Sequence, residues 1–176
     1  MNEGSKNKRK GWLRPQWESN LTIQNIPISY LINQQIKVLL LDVDNTLLPR
    51  NELILCASVR TWLLEAKKHL KLHLISNNPS RSRIKNIAQQ LQVNFTCRAA
   101  KPRKSKVLEV IEKFDCKRSN IAIIGDRIFT DIWAGNRLGL YTILVKPIKF
   151  DGTSFKENYY QEAEKYLSKL LGAGRK

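Results

Sequence analysis

Residues 36–48 read Ile-Lys-Val-Leu-Leu-Leu-Asp-Val-Asp-Asn-Thr-Leu-Leu, an apolar run that stops at two carboxylates, an amide and a hydroxyl. Val38 to Leu41 lack polar alternation, so the run predicts a strand buried on both faces, as in the centre of a parallel sheet. Side chains two apart on an extended chain point the same way. Asp42 and Asp44 can therefore both face the crevice that open α/β sheets form beyond the carboxyl ends of their strands. Two adjacent anions repel; Mg²⁺, which takes hard oxygen ligands, would hold them together with a substrate phosphate. Read alone, the same residues also make an ordinary strand-to-turn junction, because Asp-Asn is common turn chemistry.

The chain has 176 residues, 42% of them hydrophobic, which is enough for one globular domain with its own core. Its net charge of +16, from 31 Lys and Arg against 15 Asp and Glu, calls for an anionic partner or substrate: nucleic acid, an anionic membrane or a phosphorylated small molecule. Cys56, Cys97 and Cys116 are odd in number, with no C-x-x-C pair and only His69 and His73 as co-ligands, so they read as reduced thiols in a cytoplasmic protein. No run approaches the roughly 20 apolar residues of a membrane span, which leaves a protein that is at most peripheral on the inner face of a membrane.

Residues 1–20 form a basic segment, expected to be partly disordered, with Lys6, Lys8, Arg9, Lys10 and Arg14 beside Trp12 and Trp17. This mixture suits the headgroup layer of an anionic bilayer; the commoner arrangement for such a stretch is a solvated basic tail whose indoles pack on the domain. Residues 21–176 read as a single domain. After a lead-in helix near Ser29, Leu47 to Leu55 suits a tight β-type flap and Cys56 to Leu70 a helix with Val59, Leu63, Ala66 and Leu70 inward. A second strand ends in Ser76 and Asn77, ahead of a helix that Ser80 can cap. A third strand over 93–97 leads to the basic stretch Arg98 to Lys106, in which Lys101 precedes Pro102 and can be aimed as a point charge for phosphate. The fourth strand ends in Gly125-Asp126, and Thr130 is expected to cap a helix over 131–138 with Asp131 in its first turn. A fifth strand ends before Pro147. The tail helix carries Tyr159, Ala163, Tyr166, Leu167 and Leu170 on one face, expected to pack on the sheet or on a partner.

Four strand ends thus carry chemistry in chain order: Asp42-x-Asp44-Asn45-Thr46, Ser76-Asn77, Lys101, and Gly125-Asp126 with Asp131. This series resembles the four motifs of the haloacid dehalogenase-like phosphohydrolases over residues 36–147. Leu-Asp-Val-Asp-Asn-Thr-Leu-Leu, Ile-Ser-Asn-Asn, Ala-Lys-Pro and Gly-Asp-Arg-Ile-Phe-Thr-Asp further resemble its YqeG-type branch, which includes phosphatidylglycerophosphate phosphatases. The resemblance implies a three-layer Rossmann-like α/β core with a mainly parallel five-stranded sheet. The short intervals between motifs leave no room for a cap domain.

It also implies roles. Asp42 would attack phosphorus and form an aspartyl-phosphate, and Asp44 would serve as general acid and then base. Thr46, Ser76 and Asn77 would hold phosphoryl oxygens while Lys101 neutralises charge. Mg²⁺ would be held by Asp42, Asp126 and the backbone carbonyl of Asp44, with Asp131 behind them. Asn45 stands where many relatives have Gly, without disturbing these roles. The implied substrate is phosphatidylglycerophosphate at an anionic membrane surface. A soluble metabolite, nucleotide or phosphoprotein is the alternative within the same chemistry, and a basic RNA- or ribosome-associated binding module the alternative outside it.

Overall fold

The computed structural model describes residues 11–149, 151–152 and 159–169. Its centre is a parallel sheet of six strands: β1 (Trp17–Glu18), β2 (Val38–Leu41), β3 (Lys71–Ile75), β4 (Asn94–Thr96), β5 (Ile121–Gly125) and β6 (Tyr141–Leu144). They lie in the order β1-β6-β5-β2-β3-β4, so β2 is central, as its unbroken apolar run predicts. The helices are α1 (Ile28–Asn33), α2 (Ala57–His69), α3 (Arg81–Leu91), α4 (Ser105–Ile111), α5 (Trp133–Leu138) and α6 (Tyr159–Ser168).

Strand alternation sorts the core into two layers. Leu39 and Leu41 of β2 pack with Val59 and Leu63 of α2 and Ile84 and Ile87 of α3. Val38 and Leu40 face the other way, onto Val107, Val110 and Ile111 of α4 and Ala134 and Leu138 of α5. The intervals between motifs are taken up by the flap, α2 and β3 on one side and by α3 and β4 on the other.

The strand count corrects the expectation of five. β1 is only two residues long, too short to show any period, yet it pairs with β6 through Trp17 opposite Ile143 and Glu18 opposite Leu144. The same segment engages the indoles within the domain. The Trp17 ring packs on Tyr30 with centroids 4.3 Å apart, and the Arg137 guanidinium lies 5.9 Å from the Trp12 ring. The expected disorder falls on residues 1–10, outside the described ones.

Two further corrections concern polar satisfaction. Thr130 is not a helix cap: Ile128–Ile132 is a π-helical turn leading into α5, and the Thr130 hydroxyl donates to Asp131 Oδ2 at 3.2 Å. The tail helix also turns its polar side inward. Gln161, Glu164 and Ser168 of α6 are buried, while Tyr166 and Leu167 are exposed. The reason is the surface it meets. Gln161 Nε2 donates to the carbonyls of Asp126 and Val145, both at 2.9 Å, and Glu164 Oε2 accepts from Ile128 N at 2.8 Å. Strand-end backbone groups need such partners when covered. Leu170 of the expected apolar face lies outside the described residues.

Candidate active site

All four motif segments converge on one crevice at the carboxyl edge of the sheet. Asp42, Asp44, Ser76, Asn77, Lys101, Asp126 and Asp131 line a cavity of about 140 Å³. Parallel strands β3, β2 and β5 run side by side, so their ends, and the acids that follow them, meet there. Asn45 has φ +62, a left-handed conformation that Asn tolerates better than most side chains, and the turn it makes brings Thr46 back to Asp42 and Asp126.

Lys101 is the hub. Its Nζ lies 2.7 Å from Asp42 Oδ1 and 2.6 Å from Asp131 Oδ1, and donates to the Ile75 carbonyl at 2.8 Å. Burial alone would lower its pKa, but the Asp131 and Asp42 carboxylates raise it, so the ammonium is permanently charged. Asn77 holds the backbone of this lysine at both ends: it donates Nδ2 to Lys101 O at 2.9 Å and accepts from Lys101 N at 2.7 Å. Its amide side chain therefore serves the lysine loop.

Thr46 is fully buried, and its hydroxyl spans Asp42 Oδ2 at 3.3 Å and Asp126 Oδ1 at 3.4 Å. Ser76, also buried, accepts Asn78 N at 3.0 Å. Asp131 Oδ2 accepts from Arg127 N at 3.3 Å. A β-carbon on Gly125 would overlap the Asp131 carboxylate, so the strand-end glycine is required by close approach.

Arg83 and Glu164 carried no local sequence signal, and Asn78 stood in the Ile-Ser-Asn-Asn stretch without a role assigned to it. Arg83 Nη1 donates to Asp44 Oδ1 at 2.7 Å, and Asn78 Nδ2 donates to Asp44 Oδ2 at 3.0 Å. Glu164 grips Arg127 through Nε at 2.8 Å and Nη2 at 2.6 Å, which steadies the loop that carries Asp126. Each pairing joins elements distant in the chain, where neither period nor motif spacing reaches.

The buried carboxylates of Asp42, Asp126 and Asp131 each offer an oxygen within 4.8 Å of the others. One ammonium is too little charge for them. Burial pushes Asp42 up to about 7 against the pull of Lys101, with Asp131 and Asp44 adding repulsion. Asp126 is raised well above the usual carboxylate range by burial first and then by Asp42 and Asp131. Hard oxygen donors with unbalanced negative charge fit a divalent cation such as Mg²⁺. Beyond the sequence expectation, Asp131 joins this cluster as a full member.

Residues 13–149 match the family described as mitochondrial PGP phosphatase. The chain is 32% identical over 142 residues to the probable phosphatase YqeG of Bacillus subtilis, spanning 80% of this chain and 81% of that protein. A shorter stretch of 40 residues is 48% identical to phosphatidylglycerophosphate phosphatase 1, chloroplastic/mitochondrial, of Arabidopsis thaliana, spanning 23% of this chain and 12% of that protein. Among solved structures, an uncharacterized protein from Listeria monocytogenes shares the fold with a TM-score of 0.54 at 14% identity, over 70% of this chain and 84% of that one.

Proposed function

The chain belongs to the PGP phosphatase family of haloacid dehalogenase-like phosphatases, and from that premise we propose that it hydrolyses phosphatidylglycerophosphate to phosphatidylglycerol and phosphate. One observation supports this choice of substrate above the rest. A cavity of about 140 Å³ is smaller than the roughly 300–1,000 Å³ of sites that enclose a ligand, so it admits the phosphoryl end and leaves the bulk outside. That suits a headgroup presented from a surface.

In this reading Asp42 is the nucleophile. Its Oδ1 is paired with Lys101, and attack on phosphorus forms an aspartyl-phosphate as the glycerol oxygen leaves. Asp44, held by Arg83 and Asn78, protonates that leaving oxygen and afterwards takes a proton from the attacking water. Lys101 balances charge on the phosphoryl group, and the Ser76 hydroxyl and the Asn77 backbone N–H receive its oxygens. Thr46 keeps Asp42 and Asp126 in register. Asp42 and Asp126, with Asp131 beside them and the Asp44 carbonyl, would hold Mg²⁺, which when bound screens the carboxylates from the anionic substrate and polarises the phosphoryl group. Among the described residues no helix is long and apolar enough to cross a membrane. The three free thiols suit the reducing cytoplasmic side.

The test is phosphate release from phosphatidylglycerophosphate in detergent micelles against a panel of soluble nucleotides, sugar phosphates and phosphopeptides, with and without chelator. Preference for the lipid is expected. Preference for a soluble ester leaves a general phosphatase, and binding of RNA without turnover of any ester leaves the binding module.

A further inference from the structure

The flap after β2 presents apolar side chains on a fastened backbone. Arg83 Nη2 donates to the carbonyls of Pro49 at 3.1 Å and Glu52 at 2.9 Å, and Gln90 Nε2 donates to Leu53 O at 2.8 Å. Leu55 anchors the end of the flap in the core. Between these ties, Leu53 is 51% exposed and Ile54 68% exposed. An adjacent Leu-Ile pair held out into water on a pinned loop has little backbone freedom left to lose on burial, and its apolar area stays exposed.

The same flap borders the crevice, because Arg50 lines the cavity with the acids. Neighbouring strand-end loops add exposed cations. Arg81 opens α3; Arg98 donates from Nε to the Pro79 carbonyl at 3.2 Å; Arg103 and Lys104 follow Lys101. Arg127 also lines the cavity, but its charge is already paired with Glu164. Among the described residues of these loops and of the one that follows β6, acids outside the site are Glu52, half-buried, and Asp151, exposed. An apolar tip beside a cationic rim is the pattern that enters the interface of an anionic bilayer: the tip meets acyl chains while the rim meets headgroups.

We infer that the flap 49–55 is the membrane-docking tip of this protein, with Leu53 and Ile54 entering an anionic lipid surface beside the catalytic crevice and the Arg/Lys rim neutralising its headgroups. The inference rests on the lipid-phosphatase reading and moves the docking surface from the N-terminal indoles, which pack within the domain, to the mouth of the site. It explains how a cavity sized for a phosphoryl group meets its substrate: the flap sets the crevice at headgroup depth.

The experiment is flotation of the full chain with vesicles of equal parts phosphatidylglycerol and phosphatidylcholine. The comparison is between wild type, Leu53→Ser combined with Ile54→Ser, and Ile32→Ser as a control at an exposed apolar residue on α1. Wild type and the control float. The double variant binds at least roughly tenfold more weakly, because two side chains no longer leave water. It keeps wild-type turnover of p-nitrophenyl phosphate, which shows that it is folded. High salt also weakens wild-type binding. Flotation is read without turnover, so it stands apart from the micelle assay that tests the substrate. Wild type that stays with the unbound fraction overturns the inference, as does a double variant that floats equally. So does a wild-type dimer that the double variant splits, since a second copy would then be what covers the pair.

Discussion

Arg83 Nη1 lies 2.7 Å from Asp44 Oδ1 while Nη2 of the same guanidinium holds the flap carbonyls of Pro49 and Glu52. One planar side chain thereby ties Asp44, the proposed general acid, to the loop at the mouth of the crevice. The Arg83 side chain is only 10% exposed, so the pair is shielded from the screening that weakens surface ion pairs.

Arg83→Met is expected to lower turnover of an alkyl phosphate by about 10- to 100-fold, because Asp44 loses the partner that orients it. KM should change little, since Arg83 is not among the residues that line the cavity. p-Nitrophenyl phosphate should suffer less, because nitrophenolate leaves without a proton. A uniform loss on both esters would reduce Arg83 to a scaffold for the flap.

Asp42→Asn should cut turnover by at least roughly 10³-fold without lowering Tm, because an amide cannot act as the nucleophile and its burial costs less than that of a charge. Lys101→Met should behave differently: it leaves Asp42 and Asp131 buried without their cation and should cost about 3–5 kcal/mol of stability. Steady-state kinetics and thermal melts of the two variants check this. Equal melting points for both would show that Lys101 is not the charge that holds the cluster together.

Much of this site was legible because polar residues mark the ends of its apolar runs. Val38 to Leu41 before Asp42, Leu72 to Ile75 before Ser76 and Ile121 to Ile124 before Asp126 are local patterns, and parallel pairing then brings them together. Asp44–Arg83 and Arg127–Glu164 were not legible, since both depend on which helix faces which loop after folding. The inward face of α6 misled for a related reason. Apolar periodicity predicts what an apolar surface will cover, but α6 covers the backbone carbonyls of Asp126 and Val145, which select Gln161. β1 escaped because two residues carry no period.

Gly125→Ala should lose most activity and about 1–3 kcal/mol of stability, because the added methyl occupies the space of the Asp131 carboxylate. Displacing Asp131 takes one of the two carboxylates from Lys101. Thermal melts and turnover together check it, and a Gly125→Ala protein with wild-type values in both would show that the overlap relaxes freely.

The acid cluster also sets a pH dependence whose direction follows from the raised carboxyls. Asp42 titrates near 7 in the folded protein against 3.8 when unfolded, and Asp126 is raised as well, so the folded state binds protons that the unfolded state has released. Stability therefore falls as pH rises toward and through about 7, in the absence of divalent cation. His73 acts in the opposite sense. Burial, with Lys113 adding, lowers it from 6.5 to about 4, so its contribution is present above 6.5 and lost as pH falls toward 4. The clean window is above 6.5, where His73 is neutral in both states. In chelator, Tm should be higher near pH 6.5 than near pH 8. Added Mg²⁺ should raise Tm more at the higher pH, where the carboxylates are ionised and ready to bind it. Asp126→Asn should raise Tm in chelator by removing one repelling charge, and should abolish most of the Mg²⁺ effect. Calorimetry of wild type and variant across this range measures all three, and a melting point in chelator that rises with pH through the window would contradict the assignment of an under-compensated acid cluster.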